Sequence, residues 1–553
     1  MRKAAKHRML VDLVQEVNAK FKGAGTVLVL DEISAKLISE FVTLAELTEA
    51  GVFVVENIHK QRKAYPQFRA IYYLLPDRVN FDALDADCSS KAPKYANTHV
   101  YFTKRLTDAD YQVLKSRAFA KKAKTLKEVN MHVKLYNDIL FEPYEKPSKV
   151  EVHLDALSSI ISYIPDVESV EVFKLVNPLY KDSASLYKAL EPRVKEMMPS
   201  LAQNGRNNVR VFILERGVDL VTPLIHDFHY ESLVVDVLDS AKLSQGSPDF
   251  VFRKFRNKFI RDSMLGIAAD FEKFLNENPI AKIQRNKESK DVNIDKMGVV
   301  VRGLTEYNEY IKTYEAHLET VKRADAELTK RNNNELAEAE YTVVTGIDQY
   351  GESVESAKRT EAGQRFLDSL VARKMDQLRL LMIMHGSLYK EATGKSSVDD
   401  PKLRGIFDKY VQLVAKFGKY WPEKEKDTLK KLVKNKYKNS DASLQRYVCK
   451  SEYLVADYLQ NNIKNQFDSY RFGESKVGFT KSPNTLFKGK LNVAKAKSSG
   501  ENFVIIYFIG GISYPEITAF KNLEEKLGQD WTFVMGGNGI LSPKDFVDAI
   551  PSM

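Results

Sequence analysis

The chain is poor in the residues that hold covalent or metal-built folds together. Its 553 residues include two cysteines, Cys88 and Cys449. Two thiols cannot make a disulfide framework or a four-thiolate zinc site. Glycine (26) and proline (18) are too few for a collagen-like or Pro/Gly-driven disordered chain. Runs of 18 or more apolar residues, the length of a spanning helix, are missing. Charge of one sign is also thin: 84 Lys and Arg stand against 74 Asp and Glu, a net +10. That mild excess leaves nucleic acid, an anionic membrane and acidic proteins open as partners. The basic start, Met1 to Arg8, is not followed by a signal-peptide apolar core, because Asp12, Glu16 and Lys20 interrupt it. Met9, Leu10, Leu13, Val14 and Val17 instead fit an amphipathic helix. The carboxyl end, Ile550 to Met553, carries no prenylation cysteine. The expectation is a cytosolic protein that meets membranes peripherally.

What is present is an alternation of apolar runs and helical segments. Thr26–Leu30, Val52–Val55, Ala70–Leu75, His99–Thr103 and Val129–Val133 read as strands, and Ser34–Leu44 and Asp108–Lys124 as helices between them. Continuous apolar strands joined by helices imply a parallel sheet covered on both faces. Ligands gather at the carboxyl ends of such strands, and Asp31 and Glu56 lie there. A second α/β region begins with helix Ser183–Leu190 and strand Val209–Leu214, and resumes only at Phe503–Ile509 and Trp531–Met535. Residues from about 240 to 470 read as helical. The pattern predicts an α/β-plus-α protein with a large helical insert in the second α/β domain. Its parts are an amino-terminal domain (1–130), the first part of the second domain (131–238), a helical region with a projecting hairpin (239–350), the rest of the helical domain (351–468) and the completing part of the second domain (469–553).

Within the insert, Met297, Val300, Leu304, Tyr307, Ile311, Tyr314, Leu318 and Val321 recur every three or four residues. This is one apolar stripe on a long helix, suited to an intramolecular hairpin or to a partner helix. Lys330 to Glu335 reads as an exposed tip or turn. Catalytic motifs fail on spacing. Gly394-Lys395-Ser396 lacks the first glycine of a phosphate loop, since Tyr389 stands there, and Gly537-Asn538-Gly539 lacks the third glycine of a dinucleotide fingerprint. His226 and His229 read as hydrogen-bonded structural histidines. No catalytic residue, metal site or cofactor is expected. Two basic clusters, Lys104–Lys127 and Lys424–Lys438, lack the interleaved aromatics of a base-stacking platform, so acidic peptide or anionic lipid fits them better than nucleic acid.

The segment Leu214-Glu215-Arg216-Gly217-Val218-Asp219-Leu220-Val221-Thr222-Pro223-Leu224-Ile225-His226-Asp227-Phe228-His229-Tyr230 resembles the (D/E)RGxDxxTPLLHEFTY signature of the SM (Sec/Munc) proteins, the syntaxin-binding regulators of SNARE-driven vesicle fusion. Ile505 to Glu516 resembles that family's late strand-GGxxxxE-helix, and Ile540 to Phe546 its closing segment. Val29-Leu30-Asp31, Thr48-Glu49-Ala50-Gly51 and Val55-Glu56-Asn57-Ile58 resemble the amino-terminal domain of the branch acting at the plasma membrane. The resemblance implies a non-enzymatic three-domain arch whose cavity clasps a syntaxin. Asp31, Lys36, Glu56, Lys60 and Tyr307 fall on the cavity positions. Tyr111, Glu128 and Lys121 fall at the outer pocket for the amino-terminal peptide of syntaxin. The stripe residues Leu304, Thr305, Ile311, Tyr314 and Leu318 fall on the helical hairpin that holds SNAREs. Thr43 and Lys63 depart from the neuronal Lys and Glu, implying a charge swap on the partner, and Thr305 replaces a proline. The implied partners are a syntaxin-type SNARE bound 1:1 by a monomer, the assembled SNARE bundle and a synaptobrevin-like vesicle SNARE, with plasma-membrane attachment through syntaxin and no nucleic acid. The rivals are a nucleotide-dependent α/β enzyme and a protein that binds anionic membranes through Lys424–Lys438.

Overall fold

The computed structural model describes residues 1–20, 25–89, 93–146, 149–201, 205–239, 249–281, 294–370, 373–388, 398, 400–417, 449–461, 467–473 and 500–553. The stretch Gly394–Ser396 and the cluster Lys424–Lys438 lie outside them.

Five parallel strands, β1 (Thr26–Leu30), β2 (Val52–Asn57), β3 (Tyr65–Leu74), β4 (Tyr95–Phe102) and β5 (Thr125–Glu128), form the first sheet in the order β2-β1-β3-β4-β5. Every residue of β1 is buried, because the sheet is covered on both sides. Leu28 and Leu30 pack with Leu13 and Ile38 on one face, and Val27 and Val29 pack with Phe81 and Phe119 on the other. The edge strand β2 buries only Val52 fully. The fifth strand is not Val129–Val133 but Thr125–Glu128. Val129 to His132 instead carry the chain across, with Val129 and Met131 donating backbone N–H groups to Phe102 and Thr103. Both expected helices are broken. The first runs Glu32–Ser39 and restarts as Leu44–Glu49, where Thr43 supplies a new cap. The second runs Asp108–Ser116 and restarts as Ala118–Lys122, because Arg117 adopts an extended conformation.

The second sheet has seven strands: β6 (Val133–Leu135), β7 (Leu140–Pro143), β8 (Val167–Leu175), β9 (Asn207–Glu215), β10 (Phe467–Gly473), β11 (Asn502–Ile509) and β13 (Trp531–Gly537), the last separated from β11 by the short β12 (Ile512–Ser513). They lie in the order β10-β8-β9-β11-β13-β7-β6, and β12 pairs separately with β14 (Ile540–Leu541). Its centre is parallel, and antiparallel strands β10 and β6 close the two edges. Alternation along β9 and β11 divides two cores. Val211, Ile213, Ile505 and Tyr507 face the core shared with the amino-terminal helix, which buries Ala5, Met9, Leu13 and Val14 there. Phe212, Leu214, Ile506 and Phe508 face helix Tyr514–Leu527. Each such side chain contributes about 1.5–3 kcal/mol by burial.

Between Tyr230 and Asn461 the described segments are helical, apart from isolated bridges at His229–Phe259 and Ile347–Ser353. Helix Ile294–Arg331, at 38 residues the longest among the described residues, runs unbroken through Thr305. Its stripe is covered from within the chain by helix Ile260–Glu277. Phe274 stacks on Tyr307 at 5.7 Å, and Phe271 stacks on Tyr314 at 5.1 Å. The turn expected at Lys330–Glu335 exists, at Asn332 in the left-handed region (φ 49°). Lys330, Asn332, Asn334 and Glu335 are exposed there, while Asn333 is buried and accepts a hydrogen bond from Arg373 Nη1 at 2.8 Å. The segment joining helices Ile260–Glu277 and Ile294–Arg331 includes 282–293, outside the described residues.

Candidate functional site

The first sheet brings four of the expected cavity residues to the carboxyl ends of β1 and β2, but gives them different roles. Asp31 ends β1 and caps helix Glu32–Ser39, accepting from Ser34 N–H at 2.7 Å. Its second oxygen accepts from Leu75 N–H at 2.6 Å and Asn80 Nδ2 at 2.9 Å. The carboxylate is buried and used within the fold, so the expectation that Asp31 pairs with a partner is corrected: it is a positioning residue. These bonds also occupy the β1/β3 switch point where sheets of this strand order bind nucleotides. Glu56 is half-buried near the end of β2 and accepts from Tyr95 Oη at 2.7 Å. Tyr95 in turn accepts from Arg62 Nη1 at 3.3 Å, and Arg62 pairs with buried Asp87 at 2.8 Å. Burial first, and then the bond to Glu56, push the Tyr95 phenol above its ordinary range. Sequence reasoning missed this Arg62–Tyr95 brace, since nothing in spacing links the two positions. Lys60 and Lys63 are exposed. Lys36 is exposed and pairs with Glu32 at 2.8 Å, one turn away, a contact of small net energy. Lys36, Lys60 and Lys63 are thus exposed and Glu56 half-buried, whereas Asp31 is enclosed.

Thr43 closes a capping box with Glu46, whose carboxyl is drawn down to about 2 by its hydrogen bond to Lys6 and by those from Thr43. A lysine there would lose that cap.

Tyr111, Glu128 and Lys121 sit on the outer side of the same sheet. Tyr111 is half exposed, with Lys115 Nζ 4.6 Å over its ring. Glu128 ends edge strand β5, which pairs only with β4 among the described strands, and accepts from Leu106 N–H at 2.9 Å. Leu126 on β5 is an exposed apolar neighbour in sequence, and Lys121 is exposed.

On the long helix, Tyr307 and Tyr314 are buried, Leu304, Ile311 and Leu318 are half-buried, and Thr305 is exposed. Tyr307 packs with Ile280, Ala281, Leu304 and Ile311. The stripe takes part in an intramolecular seam, one of the two readings its spacing allows, and Leu304, Ile311 and Leu318 stay half-buried. Thr305 is the one of these positions that faces solvent.

The two long motifs meet in a buried polar hub. Arg216 gives Nη1 and Nη2 to the two oxygens of Glu516, both at 2.7 Å, and donates to the carbonyl oxygens of Asp219 and Gly511. Glu516 also accepts from Ser513 and Ser451. Asp219 accepts from the backbone of Val221, Thr222 and Lys450. Burial alone would raise its carboxyl, but Lys450, Arg216 and Thr222 together hold it below the usual range. Glycine is required at 510, where φ is +94° and a Cβ would stand 2.7 Å from Arg216 Cβ. At Gly537, a Cβ would stand 2.4 Å from the Phe508 carbonyl oxygen, so the Gly537-Asn538-Gly539 turn serves strand packing. His226 Nδ1 lies 2.9 Å from Glu340 and His229 Nδ1 lies 2.7 Å from Asp227. Among the described residues no group of three metal-binding side chains converges. Burial pushes both thiols, Cys88 and Cys449, above the usual range, the opposite of an activated nucleophile. No described helix is long and apolar enough to cross a membrane.

Comparison with known proteins agrees with this arrangement. The Sec1 family model matches residues 26–549. The chain is 24% identical over 610 aligned positions to Protein transport protein sec1 of Dictyostelium discoideum, covering 100% of this chain and 98% of that one. It is 22% identical to Vacuolar protein sorting-associated protein 45 of Rattus norvegicus, covering 95% and 92%. Among solved structures, the Unc18–syntaxin 1 complex from Monosiga brevicollis superposes with TM-score 0.71 at 19% identity, over 100% of this chain and 99% of the other. The SM protein Vps45 in complex with the Qa SNARE Tlg2 (1-310) gives 0.64 at 14%, over 100% and 97%. The three-domain arch, two parallel-sheet domains and a helical insert, is thus shared from end to end. With its signature motifs joined in the Arg216–Glu516 hub and a family match from residue 26 to 549, this chain belongs to the Sec1 family of SM proteins.

Proposed function

We propose that this chain is a non-enzymatic SNARE-binding protein that clasps a syntaxin-type (Qa) SNARE and regulates or templates SNARE assembly in vesicle docking, fusion and exocytosis. The observation that carries the reading is the whole-length match to SM proteins whose structures were solved with a syntaxin or another Qa SNARE. In this reading residues 1–130 present the syntaxin-facing edge, and 239–350 supply the opposing helical wall. Residues 131–238 and 469–553 build the base between them, and 351–468 complete the helical domain. Lys36, Glu56, Lys60 and Lys63 read the charge of the partner, which sets specificity and association rate more than affinity. Tyr111, Leu126, Glu128 and Lys121 receive an amino-terminal syntaxin peptide. A synaptobrevin-like SNARE meets the helical wall on its exposed side, at Thr305. The protein works as a monomer in a 1:1 complex and reaches the plasma membrane through syntaxin.

The test is titration of the purified chain with syntaxin cytoplasmic regions, with and without their amino-terminal peptides. A stoichiometric complex weakened by Glu56→Lys or Lys60→Glu is expected. Binding that ignores both substitutions removes the cavity assignment, and no binding to any syntaxin removes the function.

A further inference from the structure

Glu56, assigned above to the syntaxin-facing edge, stands on a strand with little to hold it. β2 pairs only with β1 among the described strands, so its outer side has no neighbour in the sheet. A glutamate left loose there loses rotamer freedom when a partner fixes it. One contact restrains it beforehand. Tyr95 Oη donates to Glu56 Oε2 at 2.7 Å and is the only hydrogen-bond partner of that carboxylate among the described residues. Tyr95 begins β4, three places from β2 in the sheet order. It is 4% exposed and stands edge-on to Tyr72 at 6.1 Å. Enclosed in this way it touches no partner, and whatever it contributes to recognition passes through Glu56.

The hydroxyl of Tyr95 is itself directed. It accepts from Arg62 Nη1 at 3.3 Å, which leaves its single proton for Glu56. Arg62 is fixed in turn: its side chain is 4% exposed, pairs with Asp87 at 2.8 Å and donates Nη2 to the Ile58 carbonyl oxygen at 3.1 Å. Asp87 also accepts from Tyr72 Oη at 2.8 Å and pairs with Lys94 at 2.8 Å. One buried guanidinium thus ties down the loop that carries Lys60 and Lys63 and turns the phenol toward Glu56. A carboxylate has about four acceptor sites and Tyr95 takes one of them, so Glu56 retains capacity for a donor from outside.

We propose that Tyr95 is a positioning residue for partner recognition: it holds Glu56, before binding, in the orientation that meets a lysine or arginine side chain of the SNARE, and Arg62 aims its hydroxyl. The inference rests on the SNARE-binding reading above. A side chain already held in the free protein loses little freedom in the complex, which is how preorganisation raises affinity without a new contact. An ammonium or guanidinium is the group that matches a half-buried carboxylate, through a charge-assisted hydrogen bond.

The test is calorimetric titration of a syntaxin cytoplasmic region into the full chain, Tyr95→Phe, Glu56→Ala and the double variant. Tyr95→Phe removes one oxygen and keeps the ring against Tyr72, and thermal melting establishes that it folds. It is expected to weaken binding by about fivefold or more in the parent. In the Glu56→Ala background it should add nothing, because the phenol has no carboxylate left to hold. Glu56→Asp, which keeps the charge but draws it back from the Tyr95 hydroxyl, gives a second route and should weaken binding by a similar factor. The proposal is overturned if Tyr95→Phe or Glu56→Asp binds like the parent or more tightly. It is overturned as well if Tyr95→Phe loses the same factor with and without Glu56, the result of a merely structural role. A parent chain that binds no syntaxin overturns the SNARE-binding reading and this inference with it. A parent that binds, beside a Tyr95→Phe that binds equally, overturns this inference alone.

Discussion

Glu516→Gln removes one charge from the Arg216–Glu516 hub while keeping the shape of the side chain. Arg216 then remains buried with a neutral partner, having lost one of two acceptor oxygens that now lie at 2.7 Å. Its remaining contacts are the carbonyl oxygens of Asp219 and Gly511 and the face of Phe508, 4.9 Å away. Breaking one side of a buried ion pair is unfavourable by about 3–5 kcal/mol. Replacing both partners by apolar residues of similar volume is close to neutral, because desolvation of the two charges is relieved together. Arg216→Met with Glu516→Leu should therefore recover most of what either single change loses, giving a coupling energy of about 2 kcal/mol or more. The chain has several domains, so a two-state reading of the whole molecule is inappropriate. A local probe is at hand: Trp531 begins β13 in the same sheet, and Trp421→Phe makes it the sole tryptophan. Urea unfolding followed through Trp531 should show a lower midpoint for Glu516→Gln and a largely restored one for the double variant. Strict additivity of the two single losses, or a loss under about 1 kcal/mol for Glu516→Gln, would refute the argument that the motifs are joined by one charge pair.

Asp31→Ala should lower the stability of the first domain by about 1–2 kcal/mol through the lost cap and the orphaned Leu75 N–H. Lys60→Glu should weaken syntaxin binding at unchanged melting temperature; equal melting temperatures for both variants would return Asp31 to the partner surface. Thr305→Pro places a helix breaker, worth about 3 kcal/mol, in a continuous helix, and should slow SNARE assembly in a liposome fusion assay; unchanged rates sink the template role of this wall. His99, buried in β4, has its imidazole drawn down from 6.5 to about 4 by burial and by the nearby charges of Arg69 and Lys124. The unfolded chain therefore takes up that proton first, so stability is flat above about pH 6.5 and falls toward pH 4, by about 2 kcal/mol at pH 5. His99→Gln should flatten that part of the urea-midpoint profile, and an identical slope would assign it to other groups.

The elements that could be read from the residues alone were those whose physics is local. β1, β9 and β11 are buried on both faces and so are continuous apolar runs. β8 and β10 escaped notice because Glu168, Glu171, Lys174, Asp468 and Arg471 interrupt their apolar runs; β10 is the edge strand and β8 lies just inside it. Asp31 was located correctly but its direction was not. A carboxylate at a strand end looks the same in sequence whether it faces a partner or caps the next helix, and only the arrival of Leu75 and Asn80 decides. The stripe on the long helix was likewise legible as a period. Its neighbour was not, because Phe271 and Phe274 approach it through the fold. Arg216 and Glu516 both stood in recognised motifs, yet 300 residues apart, where no local rule pairs them.

The interrupted second sheet has a consequence for synthesis. β9 emerges from the ribosome with its apolar edge complete, but its neighbour β11 follows only after roughly 290 more residues. At about 5–20 residues per second this interval is roughly 15–60 s. Throughout it, Val209 to Leu214 form an unpaired hydrophobic edge of the kind that recruits other chains. The helical insert completes its own synthesis inside that window, ahead of the domain that carries it. Folding of the base is therefore necessarily late, and its yield in cells should depend on whatever shields β9 until the last fifty or so residues of the chain arrive.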